Sequence, residues 1–239
     1  MAVSALGSVL DEARRGDFSG FSITLPLKEA VLPLLDAVTP LAREMGAVNC
    51  VLRRDDGTLE GHNTDGVGLA HALAQVHVSF QGTRVLLLGA GGAARAAAFT
   101  AQARGAARLW IANRGLARAQ RLVEDVSPGA EALALADVAS VLAQADVIIN
   151  ATRVGLGVPD ASPLPPGCKL GKNQTVLDMV YQPLQTALLA DAGRAGARTV
   201  DGLWMLIHQA LEQLRLWTGV LAPPPTAAAL HHHLSQGLP

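Results

Sequence analysis

The segment from Arg84 to Ala94, Arg-Val-Leu-Leu-Leu-Gly-Ala-Gly-Gly-Ala-Ala, constrains the fold of this chain more than any other. A strand-like apolar run ends in a G-x-G-x-x-A pattern, and a small-residue stretch with helical character continues to Arg104. Strand, tight turn and helix is the context in which such glycines bind a dinucleotide. Gly89 makes the turn, Gly91 lets a pyrophosphate approach the backbone, and Ala94 lets the helix pack close to the strand. A helix opening at Gly92 offers free N–H groups and the positive end of its dipole to phosphates. Gly89, Ala90, Gly91, Gly92 and Ala93 are therefore the expected cofactor-binding run.

The next strand decides which nucleotide. NAD sites carry Asp or Glu roughly 20 residues after the glycines, where the carboxylate bonds the ribose hydroxyl. Here the strand ends Ala112-Asn113-Arg114, with Arg118 one turn later. No carboxylate repels a 2′-phosphate, and two guanidinium forks can grip one, so Asn113, Arg114 and Arg118 predict NADP over NAD. Arg118 also reads as an ordinary solvated helix residue.

Around this unit the pattern alternates. Strands are expected at Arg108 to Ala112, Val147 to Asn150 and Thr175 to Asp178, and helices at Leu116 to Asp125, Asp137 to Gln144 and Leu184 to Ala192. That alternation implies a parallel sheet with helices on both faces. Upstream, helices are expected at Ala5 to Arg15 and Glu29 to Ala37, and a strand at Phe18 to Leu25. Ala47 to Leu52 and Thr58 to His62 read as a hairpin turned at Asp56-Gly57. Helices are expected at Gly68 to Val76 and Leu203 to Trp217, and a last one, carrying His231 to His233, runs to about Leu234.

Bulk properties exclude several classes of function. A formal net charge of -1 gives no basic excess to hold nucleic acid or an anionic membrane, so any anion must be bound locally. No apolar run approaches the length of a membrane span, and the N-terminal residues lack the order of a signal peptide. Cys50 and Cys168 lie far apart and match no metal spacing, which favours a reduced, cytoplasmic setting and predicts no metal site.

Lys28 is chemically conspicuous: the chain has three lysines against sixteen arginines, and Lys169 and Lys172 share one Pro/Gly-rich loop. A lysine can surrender its proton when buried, whereas an arginine in a protein cannot. Lys28 follows an apolar, strand-like run that stops at Pro26, and Asp65 follows the hairpin. Each has a bland reading, Lys28 as a solvated residue opening a helix and Asp65 as a helix cap. Together, at ends of extended segments in one region, they can converge on a cleft wall, protonate a carbonyl and steady developing charge.

The ordered segments GFSITLPLK (Gly20 to Lys28), GAVNC, GHNTDG, GAGGAARA, ANR, NAT-x-VG, DMVYQPLQT and DGLWMLIHQA resemble the shikimate dehydrogenase family from about Gly20 to Gly219. The resemblance implies reversible NADPH-dependent reduction of 3-dehydroshikimate to shikimate, on the chorismate route to aromatic amino acids. It makes Lys28 and Asp65 the catalytic pair, places Thr24, Asn49, Tyr181 and Gln209 around the substrate, and puts Met179 and Gly202 near the nicotinamide. It implies an α/β architecture in which a Rossmann domain (66–202) is inserted in an α/β substrate-binding domain (1–65 and 203–239), as a monomer or homodimer.

The chain departs from the family pattern at its start, where a strand and a Ser-x-Ser segment that holds the substrate carboxylate are expected; the substrate-binding domain reads as N-terminally truncated, leaving sheet edges open. Ser22, Cys50 and Arg153 replace Asn, Thr and Ser, and Arg153 reads either as a solvated loop residue or as a side chain able to touch the cofactor phosphates. Three alternatives stay open: a dual quinate/shikimate dehydrogenase, a non-catalytic NADP-binding relative, and a methylenetetrahydrofolate dehydrogenase, which the NTDG and DMVY segments fit worse.

Overall fold

A computed structural model describes residues 6–16, 18–158 and 160–238. Helix α1 (Leu6–Arg15) turns Leu6, Leu10 and Ala13, one face at helical spacing, onto a small four-stranded sheet. That sheet comprises β1 (Gly20–Ser22), β2 (Ala37–Val38), β3 (Cys50–Arg53) and β4 (Leu59–His62), in the order β1-β3-β4-β2. The hairpin β3–β4 is antiparallel and turns through Gly57 at φ 85°, as Asp56-Gly57 predicted. Among the described residues β1 pairs with β3 alone, and a cavity of about 540 Å³ lies between this edge and α1. Ala5, the expected first residue of α1, lies outside the described residues.

The helix expected over Glu29 to Ala37 does not form. Turns lead to a single 3-10 turn at Leu32–Leu34, Leu35 is extended, and Ala37 already belongs to β2. Pro33 accounts for this, because it removes an N–H and clashes with the preceding turn of any α-helix spanning that stretch. The sequence reading missed the short helix α2 (Pro40–Met45), although Thr39 caps it by accepting from the Ala42 N–H and Pro40 fills its first turn.

Helix α3 (Asp65–Ala74) begins at Asp65 and not at Gly68, because Asn63, Thr64 and Asp65 are buried and not a solvated turn. Beyond it come β5 (Arg84–Leu88), α4 (Gly92–Ala103), β6 (Arg108–Asn113), α5 (Leu116–Val126), β7 (Glu131–Ala134), α6 (Ala139–Leu142), β8 (Val147–Asn150), β9 (Thr175–Asp178), α7 (Ala187–Arg194) and β10 (Arg198–Val200). The six strands form a wholly parallel sheet in the order β10-β9-β8-β5-β6-β7, the doubly wound arrangement.

Alternation along the strands fills both faces. Val85, Leu87, Ile111, Ile149 and Leu177 pack against α3, α4 and α5; Leu86, Leu88, Trp110, Ile148 and Val176 pack against α6 and α7. The unanticipated β7 and β10 are the edges; each begins with an exposed charged residue, Glu131 and Arg198, and β7 is only half-buried beyond it.

Helices α8 (Gly202–Thr218) and α9 (Thr226–Ser235) close the chain. α8 lies tight against α3, since a Cβ on Gly68 would meet the Met205 carbonyl oxygen at 2.8 Å. His231 of α9 stacks on Trp204 at 4.1 Å and bonds both carboxylate oxygens of Asp201 at 3.0 Å. Among the described residues, no helix is long and apolar enough to cross a membrane.

Candidate active site

Lys28 and Asp65 meet. Val48 N–H donates to the Lys28 carbonyl at 2.8 Å, tying the turn after β1 to the chain entering β3. Asp65, first residue of α3, is held by its own N–H bonding Asn63 Oδ1 at 3.0 Å. Lys28 Nζ donates to Asp65 Oδ2 at 2.6 Å, with side chains 12% and 4% exposed. Its carboxylate is thus committed to the lysine and does not cap the helix, where Thr64 is the N-cap. An ammonium has three protons, so Lys28 keeps donors for a bound group.

Asn49 bonds Asp65 Oδ1 at 2.8 Å and Gln209 Oε1 at 3.2 Å through Nδ2, and its Oδ1 accepts from the Thr64 N–H at 2.8 Å. Gln209 lies on α8 one turn before Gln213, whose Nε2 donates to Gln209 Oε1 at 2.7 Å; Ser22 Oγ bonds Gln213 Oε1 at 2.5 Å. Four of the residues picked from sequence, Lys28, Asn49, Asp65 and Gln209, therefore share one polar network at the junction of β3, α3 and α8. The sequence reading missed Asn63, Thr64 and Gln213. Their signal was a polar Asn-Thr-Asp run feeding an apolar helix, and glutamines spaced by one helical turn.

Across α3 and α4 lies the carboxyl edge of the parallel sheet. Leu88 pairs with both Ala112 and Asn150, and Asn150 with Asp178, so the chain leaves β5, β6, β8 and β9 side by side. A cavity of about 370 Å³ opens there, lined by Gly89, Ala90, Gly91, Asn113, Arg114 and Arg118, and by the Ala151–Val154 loop. A second, of about 590 Å³, brings Thr24 and Ala93 together with Met179 and Tyr181. Gly202 is buried against Met179, where a Cβ would meet the carbonyl carbon and oxygen at 2.6 Å. Gly92 is the first residue of α4 and lies beneath the Lys28 side chain.

The first cavity has the features of an anion-binding site. Gly89 turns at φ 113°, Gly91 has open space where a Cβ would be, and α4 begins without a side-chain cap, leaving its first N–H groups for a ligand. No acidic residue lines the cavity, and Arg114 and Arg118 make no ion pair among the described residues.

Behind this loop sits a buried cluster that the sequence did not disclose. Asn150 Oδ1 accepts from the Thr152 N–H at 3.0 Å and hydroxyl at 2.7 Å, and its Nδ2 donates to Asp178 Oδ1 at 2.8 Å. Asp178 also takes the Thr186 hydroxyl at 2.7 Å and the Val180 N–H at 3.0 Å. Burial pushes the Asp178 carboxyl up, and these donors oppose the shift. A polar residue closing each apolar strand, Asn150 and Asp178, was the available hint.

Comparison with known proteins identifies the family. Three family models match: Shikimate dehydrogenase substrate binding domain over residues 1–51, Shikimate / quinate 5-dehydrogenase over 70–160, and Shikimate 5'-dehydrogenase C-terminal domain over 202–229. A shikimate dehydrogenase (NADP(+)) of Methanosarcina acetivorans is 42% identical over 86% of this chain and 75% of its own. A quinate/shikimate dehydrogenase (NAD(+)) of Corynebacterium efficiens is 40% identical over 90% of this chain and 78% of its own. The crystal structure of shikimate 5-dehydrogenase from Thermus thermophilus in complex with NADP(H) and shikimate superposes with a TM-score of 0.87 at 40% identity, covering 98% of this chain and 85% of that one. With its sheet order, its glycine turn and its relatives all concordant, the chain belongs to the shikimate dehydrogenase family.

Proposed function

We propose that the chain catalyses the reversible, NADP-dependent reduction of 3-dehydroshikimate to shikimate. The observation that carries this is the buried Lys28–Asp65 pair lying against Gly92, where the helix behind the glycine turn begins. The dinucleotide, when bound, supplies or takes up the hydride. Lys28 gives a proton to the carbonyl oxygen in reduction and receives it in oxidation, while Asp65 holds the ammonium in place. Thr24, Asn49, Gln209 and Tyr181 orient the hydroxylated ring. Gly89 to Ala93 cradle the pyrophosphate, Arg114 and Arg118 with Asn113 hold the 2′-phosphate, and Met179 and Gly202 flank the nicotinamide.

The division of labour follows the two sheets. Residues 1–65 and 203–239 form the substrate-binding domain around the four-stranded sheet, and 66–202 form the NADP-binding domain around the six-stranded one. The two unpaired cysteines, Cys50 and Cys168, and an NADPH-dependent reduction fit the reducing cytoplasm.

Initial rates of NADP and NAD reduction with shikimate and with quinate test this reading. Turnover of shikimate with NADP, well above every other combination, is expected. Equal rates with quinate identify a dual-specificity enzyme, and NADP binding without turnover of either identifies a non-catalytic binder; each contradicts the proposal.

A further inference from the structure

We propose that Arg153 is a third phosphate-binding arginine, placed on the pyrophosphate of the bound dinucleotide. It then strengthens NADP and NAD alike, whereas Arg114 discriminates between them. The inference rests on the reading of Gly89 to Arg118 as the nucleotide site.

Three observations carry it. The first is position: a Cβ on Gly89 would meet the Ala151 carbonyl and Thr152 Cγ2 at 3.1 Å, so the segment leading into Arg153 is packed against the turn expected to receive the pyrophosphate. The second is connection. Arg153 lines both the cavity of about 370 Å³ and that of about 590 Å³, and among the described residues it is the one charged residue common to them. Arg114 and Arg118 line only the former. A pyrophosphate links the two halves of a dinucleotide, so a cation on the wall shared by both cavities faces that link.

The third observation is charge. Arg153, Arg114 and Arg118 converge on a cavity with no acidic lining residue, and none forms an ion pair among the described residues. Three uncompensated cations repel one another until an anion enters. The backbone that carries Arg153 is fixed at both sides, because Asn150 Nδ2 donates to the Val154 carbonyl at 3.2 Å and Val154 N–H donates to Thr152 Oγ1 at 3.1 Å. Only the exposed guanidinium must settle when a ligand binds, which lowers the ordering cost.

Titration calorimetry with NADP, NAD and adenosine 2′-monophosphate tests the assignment on the wild type, Arg153→Ala, Arg153→Lys and Arg114→Ala. Arg153→Ala is expected to weaken NADP and NAD by the same factor, about tenfold, and to leave the 2′-monophosphate unchanged. Arg153→Lys should recover part of the loss, and Arg114→Ala should weaken NADP and the 2′-monophosphate while sparing NAD. Unchanged dinucleotide affinities in Arg153→Ala overturn the proposal, as does a loss confined to NADP, which moves the residue to the 2′-phosphate. A wild type that binds neither dinucleotide overturns the nucleotide site itself. Equal melting temperatures of wild type and Arg153→Ala exclude misfolding as the cause of any loss.

Discussion

Gly92 lies directly beneath Lys28: a Cβ at position 92 would come within 3.2 Å of the lysine Cβ and 3.4 Å of its Cδ. The residue that opens α4, behind the glycine turn, thus also seats the proposed acid–base residue. Substrate side and nucleotide side meet at this contact, as they do where Arg95 Nε of α4 donates to the Met45 carbonyl of α2 at 2.9 Å.

Gly92→Ala should therefore shift Lys28 by a few tenths of an ångström and lower kcat by roughly threefold to tenfold, given the steep dependence of rate on alignment. Stability should change by less than about 1 kcal/mol, because the alanine gain is small at the first helical position and is opposed by the tight contact with Lys28. Steady-state kinetics beside thermal melts check this; wild-type kcat in a folded variant removes the contact from the account.

Asp178→Ala should leave the Asn150 amide and the Thr186 hydroxyl without their buried acceptor. We expect a stability loss of about 2–3 kcal/mol, read as a fall in melting temperature, together with weaker NADP binding as the Ala151–Val154 loop loosens. An unchanged NADP Kd at reduced stability would show that the cluster supports the fold and not the loop.

Arg14 joins α1 to the chain before β2, bonding Asp36 at 3.0 Å and the Leu34 carbonyl at 2.9 Å. Its guanidinium, with the Leu59 N–H, holds the Asp36 carboxyl below the ordinary value of 3.8. A depressed carboxyl contributes stability above its unfolded pKa and loses it as pH falls through the folded value. The stability gap between wild type and Arg14→Ala should therefore be full at neutral pH and shrink progressively below pH 3.8. Urea unfolding across that range measures it; a gap that is constant with pH assigns the effect to the Leu34 bond alone.

The parallel sheet was legible because its central strands are buried on both faces: Arg84 to Leu88, Val147 to Asn150 and Thr175 to Asp178 were all bounded correctly. Edge strands β7 and β10 were not legible, since the alanine–leucine run after Glu131 has no β-branched residue to mark a strand and Arg198–Val200 is only three residues long. The expected helix at Glu29 failed for a local reason, Pro33. In the site, Lys28 and Asp65 were found by chemistry and placement. Thr64, Gln213, Asn150 and Asp178 were not, because a polar residue's worth depends on which partners the fold brings within reach, and Ser22 with Gln213 are brought together only by folding.

Steady-state kinetics of shikimate oxidation by Lys28→Ala separate proton transfer from substrate binding. If Lys28 transfers the proton in the transition state, kcat falls about 10²–10⁴-fold while the KM for shikimate changes far less. A kcat close to wild type with a raised KM would make Lys28 a binding residue and contradict its role as the acid–base group.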